Sequence, residues 1–158
     1  MTLGLWGVKC SQHDAYSGGK TYDMLGHIGV NVHDLARAKA YYDSIIPLLG
    51  FESYLVAADQ FAYRRLGGKP GTYLFFYPAL EDTPYSRHRP GLQHLAFMVE
   101  SRAAVHEVYT KVQALGSEVI HPPRLFPQYR PYAYYATFWL DPEGFMLEAV
   151  CLREEESG

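Results

Sequence analysis

The chain has 158 residues, enough for one domain with a real core or for two small modules that hide surface by packing together. Apolar residues make up 48% and charged residues 20%, which fits a soluble globular protein, and no run reaches the roughly 18 apolar residues of a membrane-spanning helix. A formal net charge of -3 gives no support for a nucleic-acid surface, and Cys10 and Cys151 make neither a disulfide framework nor a CxxC pair. The start lacks the charged region and apolar run of a secretory signal, and with no disulfide framework a reducing cytoplasm is the expected compartment.

Residues 1–23 carry Gly4, Gly7, Gly18 and Gly19 without a sustained period and read as an N-terminal extension. The pattern then sharpens. Gly26-His-Ile-Gly-Val-Asn-Val32 alternates as a strand should. Asp34 is a candidate N-cap, and Leu35, Ala38, Tyr42, Ile45 and Leu49 follow at helical spacing up to Gly50. Three strand-like runs come next, at 52–57, 61–66 and 72–78. A polar linker at 81–90 contains Pro84 and ends on Pro90.

The plan then repeats. Gln93-His-Leu-Ala-Phe-Met-Val99 is a strand, Ser101 a candidate cap, and Val105, Val108, Val112 and Leu115 a helical stripe closed by Gly116. Strands follow at 117–121, 133–140 and 145–151, with a tight turn at Asp141-Pro-Glu-Gly144. The expected fold is α+β: two βαβββ modules, at 24–80 and 91–152, forming a curved mixed-sheet cleft. A short acidic tail occupies 153–158.

Alternation sorts the side chains of each strand. Ile28, Val30 and Val32 suit packing against the first helix, which leaves His27 on the opposite face. Leu95, Phe97 and Val99 do the same for the second helix and leave His94 opposite. In the last strand Leu147 and Ala149 pack inward and Glu148 does not. Two imidazoles and one carboxylate therefore point away from the helices from repeat-matched places. Such a set binds one divalent ion (Zn, Ni, Mn, Co or Fe) and keeps positions open for water and substrate. A lone strand histidine is more often a packing or surface residue; the repeat is what raises these above that reading.

The segments Gly26-His-Ile-Gly-Val-Asn-Val-His-Asp-Leu35, Ala40-Tyr-Tyr42, Leu48-Leu-Gly-Phe51, Gln93-His-Leu-Ala-Phe97 and Asp141-Pro-Glu-Gly-Phe-Met-Leu-Glu148 resemble the vicinal oxygen chelate superfamily over about residues 24–151. That superfamily includes glyoxalase I, extradiol dioxygenases, fosfomycin-resistance enzymes and bleomycin-resistance proteins. The resemblance implies metal ligands on the first, fourth, fifth and eighth strands. His27, His94 and Glu148 match the first, fifth and eighth. The fourth-strand place falls near Phe76, which cannot ligate, and this departs from glyoxalase I. The resemblance also implies a seventh-strand tyrosine in dioxygenases, at a place held here by Phe138, with Tyr134 on the same face.

These readings make the chain a metal-dependent glyoxalase-like enzyme, of lyase or isomerase type, acting on a small oxygen-chelating substrate. Glu148 doubles as the proton acceptor in this reading. The alternatives are an Fe(II) extradiol-type dioxygenase at the same triad and a non-enzymatic small-molecule binding or resistance protein. Phe76, Tyr134 and Phe138 are expected to line the cleft. Arg124 and Arg130 stand in an aromatic, proline-rich loop at 122–132 that is expected to border it and to favour an anionic substrate. His121 reads as a loop histidine and His106 as part of a solvated helix face. A homodimer is expected, because modules of this size hide little surface alone; whether one chain or two complete the ligand set is left open by the sequence.

Overall fold

The computed structural model describes residues 25–129 and 133–153. The extension at 1–23 and the tail beyond Arg153 lie outside them. The order of elements is β1 (His27–Val32), α1 (Leu35–Ile45), β2 (Phe51–Val56), β3 (Phe61–Arg65) and β4 (Tyr73–Pro78), followed by β5 (Leu95–Met98), α2 (Arg102–Ala114), β6 (Val119–Leu125), β7 (Tyr135–Leu140) and β8 (Met146–Cys151). This is the repeated βαβββ plan. Each half closes a four-stranded mixed sheet, in the orders β1-β4-β3-β2 and β5-β8-β7-β6. Among the described residues, no helix is long and apolar enough to cross a membrane.

Local chemistry sets the helix starts. Asp34 Oδ1 accepts the Arg37 amide at 2.9 Å, and Ser101 Oγ accepts the Ala104 amide at 3.1 Å. After α1 a short 3-10 turn at Ile46–Leu49 ends on Gly50, whose φ of 80° suits a residue without a Cβ. β6 runs through Pro122 and Pro123, which the sequence pattern assigns to a loop. Prolines are tolerated there because β6 lies at the edge of its sheet and its register shifts on both sides of His121.

Both helices lie between the two sheets. Ala38, Tyr41, Tyr42 and Ile45 of α1 share one core with Val108 and Val112 of α2, and with Val32, Phe76, Phe97, Trp139 and Leu147 from the strands. Phe51 meets Phe97 edge-to-face at 5.7 Å across the halves. Polar groups also join them. Tyr42 Oη donates to Asp141 Oδ2 at 2.6 Å, and Trp139 Nε1 donates to Tyr41 Oη at 3.0 Å. Asp141 is 6% exposed, and its other oxygen accepts the amides of Glu143 and Phe145. The Asp141-Pro-Glu-Gly144 turn thus holds its own shape and is bound to α1 at the same time. His33 adds a contact with Glu143 and lies 3.5 Å from Asp82.

Two predictions follow from these joints. Tyr42→Phe keeps the ring and removes the donor to a buried carboxylate, so it should cost about 1–3 kcal/mol. A lower urea midpoint is the expected reading, and an unchanged midpoint would mean that Asp141 finds another donor. The His33 pKa is raised from 6.5, chiefly by the Glu143 bond and despite some desolvation. Its contribution is therefore full below the unfolded value and lost as pH rises through the folded one. The stability difference between wild type and His33→Gln should shrink over that rise; a difference that does not change with pH would show that the charge on His33 plays no part.

Candidate metal centre

The pairing of β5 with β8 builds the centre. Ala96 stands opposite Glu148 and Leu95 opposite Leu147, so His94, just before β5, lies beside Glu148. His94 Nε2 is 3.2 Å from Glu148 Oε2. The other ring nitrogen, Nδ1, contacts the Gln93 side-chain oxygen. If Nδ1 carries the proton given to Gln93, Nε2 keeps its lone pair free for a metal.

Glu148 is fully buried. Its Oε1 accepts a hydrogen bond from Tyr134 Oη at 2.6 Å. Its Oε2 has no hydrogen bond, since the His94 nitrogen is within ion-pair reach but not in hydrogen-bond geometry. Burial pushes the Glu148 carboxyl above the usual carboxylate range, against the opposing pulls of Tyr134 and His94. A buried carboxylate oxygen with no donor and an imidazole nitrogen at its side is an incomplete coordination set of the chemistry a divalent cation satisfies. His94 and Glu148 are of the chemistry a divalent cation takes, and they are two of the three ligands expected.

The face around Glu148 is apolar. Ala136, Phe138, Met146 and Val150 form a second small core, and Phe126 closes it from beyond the end of β6. Phe138 stands opposite Glu148 in the β7–β8 register, with its ring 5.9 Å from His94 and 5.6 Å from His121. His121 therefore belongs to this face and not to a loop. Its pKa is lowered, first by burial and then by Arg124, whose Nη2 lies 3.4 Å from Nδ1. Arg124 also lies 4.7 Å over the Phe126 ring. Tyr129 packs on Tyr134 at 4.8 Å. Phe126 and Tyr129 of the 122–132 segment thus pack on Phe138 and Tyr134, which adjoin Glu148. Arg130 lies outside the described residues.

His27 stands elsewhere, on the exposed face of the first sheet, with its ring 5.6 Å from Phe75. Among the described residues, no group of three His, Cys, Asp or Glu side chains converges within one chain. One chain brings together His94 and Glu148 and does not bring His27 to them. The expected cleft position of Phe76 is corrected too. β1 and β4 are parallel, with Val30 opposite Phe76 and His27 opposite Tyr73. Phe76 therefore shares the core side with Val30, is 2% exposed, and stacks on Phe61 at 4.6 Å. The residues that share the face of His27 are Tyr73, Phe75 and Tyr77, which form a row of rings with centroid spacings of 6.3 and 6.1 Å. Gly29 admits this row, since a Cβ there would lie 3.3 Å from the Tyr77 ring. The contact of Gln93 with His94 has no signal in the sequence, whereas Phe126 belongs to the aromatic segment expected to border the cleft. His106 likewise is not simply solvated: its Nε2 is 2.8 Å from Tyr135 Oη.

Comparison with known proteins agrees with this architecture. The sequence profile of the Glyoxalase/Bleomycin resistance protein/Dioxygenase superfamily matches residues 24–149. YqjT of Bacillus subtilis, an uncharacterised protein, is 30% identical over 133 residues, covering 80% of this chain and 97% of its own. A provisionally named glyoxalase from Bacillus halodurans superposes with a TM-score of 0.67 at 30% identity, over 81% of this chain and 95% of that one. A fosfomycin resistance protein from Listeria monocytogenes shares the fold, with a TM-score of 0.62 at 20% identity, over 85% of this chain and 98% of that one. With the profile spanning both βαβββ halves, the chain belongs to the Glyoxalase/Bleomycin resistance protein/Dioxygenase superfamily.

Proposed function

We propose that this protein is a metal-dependent enzyme of lyase or isomerase type, acting on a small substrate that presents two neighbouring oxygens. The observation that carries this reading is the orphaned, buried Oε2 of Glu148 beside the Nε2 of His94. Those two atoms would hold the ion, and His27 of a second copy of the chain would complete the set. The exposed position of His27 on a separate sheet supports a homodimer in which each centre draws on both chains. A divalent ion held there would stabilise negative charge developing on a substrate oxygen.

The chain's own side chains would do the rest. Phe126, Phe138, Met146 and Val150 keep water from the carboxylate, which strengthens electrostatic interactions at that face. Glu148 would accept the substrate proton at Oε2 once that oxygen is released from the ion, while the Tyr134 hydroxyl holds Oε1. Arg124 stands at the border of this face and would favour a substrate with an anionic group. The ring row of Tyr73, Phe75 and Tyr77 beside His27 favours a planar substrate, and supports Fe(II)-dependent ring-cleaving oxygenation as a second reading. Oxygen uptake with catechols separates that reading from the first.

Protein purified without chelator should contain one divalent metal per chain, and His94→Ala should lose it; unchanged metal content in that variant removes His94 from the ligand set. Light scattering should give a mass above the 17.9 kDa of one chain. The two-chain arrangement has a sharper test. His27→Ala and Glu148→Gln should each bind metal poorly alone, and refolding them together should restore part of the binding, because one centre of each mixed dimer keeps all its ligands. No recovery from mixed dimers of confirmed mass would mean that the ligands come from within one chain.

A further inference from the structure

Glu148 is held unsymmetrically. Its Oε1 accepts the Tyr134 bond, while its Oε2 has no hydrogen bond and only the His94 nitrogen at 3.2 Å, although both oxygens belong to one fully buried carboxylate. Apart from His94, the side chains packed around it, Ala136, Phe138, Met146 and Val150, are apolar. At 2.6 Å the Tyr134 bond lies in the range of charge-assisted O–H···O contacts, which are stronger than neutral ones. The tyrosine is itself fixed. Its carbonyl accepts the Phe126 amide at 2.8 Å, and its ring is flanked by Tyr129 at 4.8 Å and Phe126 at 6.1 Å.

A carboxylate can bind a metal through one oxygen or through both. We propose that Tyr134 is a positioning residue that confines Glu148 to binding through Oε2 alone. The inference rests on the metal-dependent reading above and adds how the centre keeps room for its substrate. The hydroxyl claims Oε1, so only Oε2 faces the His94 nitrogen. One coordination position is then left free that a two-oxygen carboxylate would fill. That position matters for a substrate that must bind through two neighbouring oxygens. Tyr134 so acts on the substrate through Glu148 rather than by touching it. The 122–132 segment, whose Phe126 and Tyr129 pack on Tyr134, is thereby joined to the geometry of the carboxylate.

The test loads wild type, Tyr134→Phe and Tyr129→Phe with Co(II). Visible d–d spectra and the affinity of each cobalt form for oxalate, a two-oxygen chelator, are then recorded. Tyr134→Phe keeps the ring and removes only the hydroxyl. Its spectrum should move to the weaker bands of higher coordination number, and its oxalate affinity should fall about tenfold, the lower end of the usual effect of disturbing a ligand's outer partner. Tyr129→Phe, which leaves the Glu148 bond in place, should keep both wild-type values. A Tyr134→Phe protein with the wild-type spectrum and oxalate affinity would overturn the proposal, as would equal changes in the two variants, which would assign the effect to loop packing. Wild type that takes up no cobalt would overturn the metal-dependent reading itself, and this inference with it.

Discussion

The hydrogen bond from Tyr42 to the buried Asp141 ties the first helix to the turn that precedes the last strand. With the Trp139–Tyr41 bond and the shared core, it holds the two halves together. With α1 and α2 shared in one core between the halves, the helix-facing sides of both sheets are used up. The opposite sides, which carry His27 in one half and His94 with Glu148 in the other, are turned outward. Asp141 is itself raised in pKa by burial, and the bonds from Tyr42 and from the amides of Phe145 and Glu143 oppose that shift. Its three donors offset the desolvation of a carboxylate placed where the two halves meet. The site's dependence on a second chain, as proposed, starts from this inter-module packing rather than from the ligands.

Glu148 is the second costly group. A carboxylate with no exposed surface, set among Phe126, Phe138, Met146 and Val150, works against folding unless something compensates it. Tyr134 compensates one oxygen. His94 lies near the other without bonding it, and its own Nδ1 is turned to Gln93. Replacing Glu148 with an apolar residue of similar volume would suit this face better on stability grounds alone. A chain that keeps such a group under an aromatic cover is arranged for function at the expense of stability, which is the usual meaning of a perturbed carboxyl in an apolar pocket.

Much of the fold was legible because its signals are local. The caps at Asp34 and Ser101, the stripes of Ala38, Tyr42 and Ile45 and of Val105, Val108 and Val112, and the division of Leu147 and Ala149 from Met146 and Val150 all depend on neighbours within a few residues, and all appear in the structure. The sequence misplaces Phe76 because Tyr73-Leu-Phe-Phe-Tyr77 is apolar on both faces, so alternation defines two sides without saying which is the core. Only the parallel register with β1, which sets Phe76 opposite Val30, settles that. Pro122 and Pro123 were misread for a related reason. Proline argues against a strand unless the strand is an edge, and edge position is a property of the sheet rather than of the segment.

The candidate site divides along the same line. Residues from one sheet could be grouped by alternation and register, and His94 and Glu148 do meet. His27 could be matched to His94 by the repeat, but a repeat relates positions within modules and says nothing of how modules are set against each other. In this chain they share a core through their helices and do not pair β1 with β5. The same internal symmetry that made His27 recognisable as a ligand candidate thus places it on an equivalent face of the other half. In the proposed dimer, a two-fold partner that brings the first sheet of one copy to the second sheet of the other would return His27 to the centre twice, and so complete two identical sites.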